Sequence, residues 1–223
     1  MRNISLLCIA FAALLAPDAV VAGGPPPPPQ NGFVVAKGDG TVVRSTLYSV
    51  FHVTTGRYEV DTIPDIHPCA YSVTAGSGDS TIPSPAIATA VGRTENHTAI
   101  MVATFGQDGS YADAGFHLIV RCVNAQSDGA AVVDPDGTLV RGVLATSASH
   151  TGTGTYDVTF NNGAFSSSCA YTAAIGLSGS EDVSAPGFAN VAAVSGGTIA
   201  VMTYDKNGNP ADLGFHVFGA CNL

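Results

Sequence analysis

Two histidines in this chain sit in nearly the same string. Ala112-Asp113-Ala114-Gly115-Phe116-His117 is answered by Ala211-Asp212-Leu213-Gly214-Phe215-His216. An aspartate four residues before a histidine, met twice, raises a metal site shared by the two strings, because carboxylate oxygen and imidazole nitrogen both ligate zinc. No His-x-His or His-x-x-x-His pair supports it. The expectation is structural. Each ring follows a core phenylalanine, points away from the core face and hydrogen-bonds a neighbouring strand or loop carboxylate. His52 and His150 also recur, in turn-like surroundings with no partner near in sequence.

Two more segments carry reactive residue types. Gly78-Asp79-Ser80 has the order of a serine-protease nucleophile, but Thr81-Ile82 follow it, not oxyanion-hole glycines. It reads as a polar loop. Asp205-Lys206-Asn207-Gly208-Asn209 spaces its oxygens like a calcium loop. Pro210 and His216 stand where that loop needs its glycine and its glutamate. It reads as a hairpin turn. Nucleophile elbows and phosphate loops are absent from the sequence. No catalytic residue, cofactor or metal ligand is expected, and the chain is not read as an enzyme.

The remaining chemistry is oxidative. Cys8 lies in an apolar start; Cys69, Cys122, Cys169 and Cys221 follow. Four cysteines allow three pairings, and a sequence repeat selects one. Gly40-Thr41-Val42-Val43-Arg44 returns as Gly137-Thr138-Leu139-Val140-Arg141, and Cys69-Ala70-Tyr71 as Cys169-Ala170-Tyr171. His52, Tyr58 and Val60 return as His150, Tyr156 and Val158, in the same order. Each copy holds one early and one late cysteine, which predicts Cys69–Cys122 and Cys169–Cys221. Each bridge closes a loop of about 50 residues, worth roughly 4 kcal/mol on the chain-entropy model.

Disulfides need an oxidising compartment, and the chain start agrees. Arg2, the apolar run from Ile4 to Ala16, and small residues at Val20-Val21-Ala22 read as a signal peptide over 1–22. A Pro-rich linker is expected over 23–32, with Pro25 to Pro29 a stiff extended spacer. Module 1 then covers 33–126, Ser127-Asp128-Gly129 forms a joint, and module 2 covers 130–223. No later stretch is apolar enough for a membrane span. Charged residues are 11% of the chain and the net charge is −9. Without a basic patch there is no case for nucleic acid. The expected location is secreted or periplasmic.

Strands must position these groups. Tyr58 and Val60 alternate with Glu59 and Asp61; Tyr156, Val158 and Phe160 alternate with Asp157 and Thr159. Phe116, Leu118, Val120 and Cys122 share a face, and a bridge between a module's cysteines is expected to cross the core. Asp108-Gly109 and Asn207-Gly208 read as type I′ turns. Ile199–Thr203 and Gly214–Cys221 read as a C-terminal hairpin. Residues 76–91 and 176–191 read as long loops, the place for a ligand. The fold class is all-β: two tandem antiparallel β-sandwich-like modules, each with one internal disulfide.

Gly152-Thr153-Gly154-Thr155-Tyr156-Asp157-Val158-Thr159-Phe160, then Cys169-Ala170-Tyr171 and a Gly-Phe-His strand ending in Cys221, resembles a module of exported bacterial proteins of unassigned function. The Gly-x-Gly-x-Tyr-x-Val-x-Phe portion is also similar to β-modules near phage tail-fibre tips, which bind receptors and are often trimeric. Thr54-Thr55-Gly56-Arg57-Tyr58-Glu59-Val60 keeps one glycine of that string, so trimerisation is not carried over and no homo-oligomer is supported. The functional expectation is an exported, non-catalytic structural or binding protein with an unknown protein or surface ligand as partner. The alternative is a receptor- or glycan-binding, adhesin-like protein; a secreted hydrolase comes third.

Overall fold

The computed structural model describes residues 31–46, 48–62, 65–79, 83–122, 128–161, 169–180 and 182–221. The expected signal peptide and the proline run lie outside the described residues, as do Ser80 and Ser127. The described residues form sixteen strands and no helix. The first eight are β1 (Gly32–Ala36), β2 (Val42–Ser45), β3 (Tyr48–Thr54), β4 (Arg57–Thr62), β5 (Ala70–Ala75), β6 (Ile87–Gly92), β7 (Ala99–Phe105) and β8 (Phe116–Arg121). The second eight are β9 (Asp128–Val133), β10 (Leu139–Val143), β11 (Ala145–Gly152), β12 (Thr155–Phe160), β13 (Cys169–Leu177), β14 (Gly187–Ser195), β15 (Thr198–Asp205) and β16 (Phe215–Cys221).

Alternation decides which face is buried. In β4, Tyr58, Val60 and Thr62 are buried, while Arg57, Glu59 and Asp61 are half-buried; β12 repeats the pattern. β7 does not alternate. All seven of its residues are buried: Ile100 and Val102 pack with Tyr58 and Phe116, while Ala103 and Phe105 pack in a separate cluster with Ile87 and Val183.

The strands form three sheets, ordered β2-β1-β8-β5, β10-β9-β16-β13-β6-β7-β4-β3, and β11-β12-β15-β14. Adding eight to each number turns β2-β1-β8-β5 into β10-β9-β16-β13, and β3-β4-β7-β6 into β11-β12-β15-β14. One parallel contact fuses two of these groups of four into the long sheet: Gly176 and Leu177 of β13 pair with Ala90 and Val91 of β6. Tyr58, Val60, Tyr71, Ile100, Phe116 and Leu118 share one core. Tyr156, Val158, Phe160, Val201, Phe215 and Val217 share another.

Several expectations are corrected. β15 and β16 are not a hairpin. β15 pairs with β12 and β14, and β16 with β13 and β9. The Asn-Gly turn is local, and residues 211–214 then carry the chain to the other sheet. The Asp108-Gly109 and Asn207-Gly208 turns are not type I′, since Gly109 and Gly208 have positive φ and the residues before them do not. Asp128 and Gly129 are not a joint but strand, paired with Ala220 and Gly219. Gly32 is likewise strand, paired with Val120. Part of each expected long loop is strand too: 87–91 lie in β6, 176–177 in β13 and 187–191 in β14.

The disulfide Cys69–Cys122 is present, with both residues buried. It does not cross the core. β5 and β8 are neighbours in one sheet, and Ala70 pairs with Arg121. The cysteines are the next opposed pair, at a Cα separation of 4.1 Å. Cys169 and Cys221 stand opposite each other in the β13–β16 register.

Candidate functional site

The chemistry of the recurring residues concentrates at the seam where β13 meets β6. His216 is fully buried there. Its Nε2–H donates to the Leu177 carbonyl (3.2 Å), and its Nδ1 accepts the Tyr71 backbone N–H (3.0 Å). That pattern fixes the neutral tautomer. Burial, then the nearby Arg141 cation, pushes its pKa down to about 3. The Tyr71 ring lies 4.2 Å from the imidazole, centroid to centroid.

Arg141, on β10, completes the seam. Its Nε donates to the Cys69 carbonyl (2.8 Å), Nη1 to the Ser178 carbonyl (2.9 Å) and Nη2 to the Tyr71 hydroxyl (2.8 Å). The guanidinium also sits over the Tyr71 ring, 5.7 Å from its centroid. Burial raises the Tyr71 pKa, and Arg141 pulls against that rise. Beside these polar contacts, Ala70 packs with Ala130 and Val132, and with Phe218. Ser180 N–H to the Gly92 carbonyl (2.9 Å) extends the contact along β6.

The expected carboxylate partners of the Gly-Phe-His histidines are wrong. His117 donates from Nε2 to the Ser77 backbone carbonyl (2.8 Å), the position that Leu177 fills for His216. Two glycines make room for the rings: a Cβ on Gly76 or Gly176 would lie 2.9 Å from His117 Cδ2 or His216 Cδ2.

The two aspartates go elsewhere. Asp113 Oδ1 meets His52 Nε2 at 2.9 Å and accepts Gly56 N–H at 2.6 Å. Asp212 Oδ1 meets His150 Nε2 at 2.9 Å and accepts Gly154 N–H at 2.6 Å. His52 stacks on Tyr58 and His150 packs at a tilt against Tyr156, and each tyrosine hydroxyl donates to the preceding hairpin: Tyr58 to the Gly38 carbonyl (2.8 Å), Tyr156 to the Pro135 carbonyl (2.9 Å). The backbone N–H bond first, and the histidine after it, hold both carboxyls below the usual carboxylate range. Gly56 and Gly154 have positive φ (65° and 64°), and a side chain there would strike the Thr104 or Thr203 carbonyl. Sequence reasoning missed these clips because their partners lie 61 and 62 residues apart. The parallel recurrence of His52 with Asp113, and of His150 with Asp212, was the available signal.

A His–Asp pair can serve as a base. Among the described residues, though, no hydroxyl or thiol hydrogen-bonds either ring. Asp205 Oδ1 accepts the Asn207 and Asn209 backbone N–H groups, and Asp108 accepts that of Ser110, which is turn chemistry. Asp79 accepts the Ser77 hydroxyl. No group of three His, Cys, Asp or Glu that could hold a metal occurs among the described residues.

What remains open is surface. A cleft of about 450 Å³ lies between Ser72, Ile119 and Arg121 on one side and Ala170, Tyr171 and Phe218 on the other. A second concavity, about 360 Å³, runs over Phe33, Val35 and His117 and shares Ile119 and Arg121. Phe33 and Ile119 are 39% and 47% exposed, high for their type. No protein-family model, curated protein or solved structure matches the chain.

Proposed function

We propose that the chain is an exported, non-catalytic structural or binding protein. It consists of two disulfide-stabilised β-sandwich modules, and the Arg141–His216 seam holds them as one body. The strand order that recurs after eight strands supports the modules, as do the separate cores. The opposed positions of Cys169 and Cys221 support a second disulfide. One observation carries the non-catalytic reading. Recurring polar groups are engaged in holding the fold: His117 and His216 on carbonyls, Asp113 and Asp212 on glycine N–H groups and on His52 and His150, Tyr58 and Tyr156 on hairpins. Binding then falls to the exposed apolar face around Phe33 and Ile119.

Probes for serine and cysteine nucleophiles, with chromogenic ester and glycoside substrates, test this reading. The exported protein is expected to take no label and release no product. Turnover that disappears in His52→Ala or His150→Ala would overturn it. The cleft walled by Tyr171, Phe218 and Arg121 favours a second reading, a receptor or glycan binder. It combines aromatic surface with a cation, the usual means of gripping a sugar or an anionic receptor.

A further inference from the structure

The strand order that recurs after eight strands gives each sheet face a counterpart, and one pair of counterparts differs in what covers it. In the first half, Ile87, Thr89 and Val91 of β6 stand opposite Phe105, Ala103 and Met101 of β7. In the second half, Phe188, Asn190 and Ala192 of β14 stand opposite Tyr204, Met202 and Ala200 of β15. Opposed residues of an antiparallel pair share a face. Here it is the face turned away from the core, since the alternate residues, Ala90 with Val102 and Val191 with Val201, pack into the cores.

The first face is covered. Residues 182–184, between β13 and β14, lie against it. Val183 packs with Ile87, Ala103 and Phe105. The Thr89 hydroxyl donates to the Ser184 carbonyl (3.3 Å), and the Asp182 carboxylate stands 3.7 Å from the Arg57 guanidinium. Ile87, Thr89 and Phe105 are 8%, 0% and 3% exposed. The cover is a peptide segment that supplies an apolar side chain, a backbone carbonyl and a charge opposite to one on the sheet.

The second face is bare. Phe188, Met202 and Val194 are 46%, 38% and 59% exposed, and Asn190, in the place of Thr89, is exposed too. Its charge also differs. In the first half, Glu59 is paired with Arg93 (2.6 Å). In the second, Asp157 holds the place of Glu59, facing Ala200 as Glu59 faces Met101. Thr155 replaces Arg57, and Val194, two residues past Ala192, replaces Arg93, two past Val91. Among the described residues Asp157 has no ion pair.

From this we infer that the outer face of β12, β15 and β14, around Phe188, Met202 and Asp157, binds a basic, apolar peptide segment of a partner protein. Phe188 and Met202 take its apolar side chains, the Asn190 amide donates to a backbone carbonyl as Thr89 does, and a lysine or arginine pairs with Asp157. The cation points to a partner of a different kind, because this chain has 8 Lys and Arg against 17 Asp and Glu. The surface is separate from the face around Phe33 and Ile119, so each stands or falls without the other.

An amide NMR titration of the full protein with two end-blocked synthetic peptides, Lys-Val-Ser-Val-Lys and Glu-Val-Ser-Val-Glu, tests this. The lysine peptide is expected to shift β14 and β15 resonances around Asn190 and Met202 saturably, and to bind about tenfold more tightly than the glutamate peptide. Asp157→Asn is expected to bring the two affinities within about twofold of each other. Met202→Lys is expected to abolish the shifts. Both side chains lie on the solvent side of the sheet, and melting curves check that the variants fold. No saturable shift with the lysine peptide would overturn the inference. So would equal affinity for the two peptides in the wild type, unchanged binding in Met202→Lys, or shifts confined to the cleft at Tyr171 and Phe218. A gain of mass with concentration that Met202→Lys removes would assign the face to a second copy and overturn it as well.

Discussion

At the scale of single residues, one sequence motif has two fates. His117 and His216 follow the same Gly-Phe pair and make the same Nε2 bond. Only His216 is sealed, because Tyr71 of the other half covers it. The repeated context made both positions legible. The partner was not, since a backbone carbonyl leaves no trace in side-chain identity. Burial gives His216 a signature in acid. Its folded pKa lies near 3 against 6.5 for a free imidazole, so between those values the unfolded chain binds the extra proton. Its contribution is full above pH 6.5 and is lost progressively below it. The melting temperature of the wild type is expected to drop from pH 6.5 towards pH 4. His216→Gln keeps a donor and an acceptor without the titration, so it should drop less. Equal slopes in the two proteins would contradict the assignment. Both ring nitrogens are already bonded, so added zinc should move neither melting temperature.

At the scale of elements, alternation made the strands legible and the repeat made the Cys69–Cys122 pair legible. What they left open was which strand lies beside which. Asn207-Gly208 signals a turn, but a turn does not say that the next strand stays in the same sheet. Here Thr203 and the Asp212 clip hold residues 211–214 across the gap. The β13–β6 contact was equally hidden. It depends on Gly176, where a Cβ would meet both the Ala90 carbonyl of β6 and the His216 ring. At Gly76 a Cβ meets only the His117 ring, 2.9 Å from Cδ2, and no backbone of a neighbouring strand. Gly176→Ala is therefore expected to lose about 1–3 kcal/mol in urea unfolding, the range for overpacking, and Gly76→Ala clearly less. Equal losses would mean that the close approach at β6 contributes nothing.

At the scale of the whole molecule, the seam converts repetition into asymmetry. Two copies of one strand plan meet so that the first gives its β5 edge and the second gives a sheet face. Composition could not reveal this. Arg44 and Arg141 look alike in sequence, and only the packing shows that Arg141 reaches Cys69 and Tyr71 across the seam while Arg44 bonds Gly78 of its own half. The clips recur in both halves, the Cys69–Cys122 disulfide braces β5 against β8, and Phe33 and Ile119 stay exposed. The proposal of two modules, each closing its own bridge, makes a direct demand on covalent structure. Non-reducing peptide mapping of the protein is predicted to recover Cys69 linked to Cys122 and Cys169 linked to Cys221. A Cys69–Cys169 or Cys122–Cys221 link would contradict it.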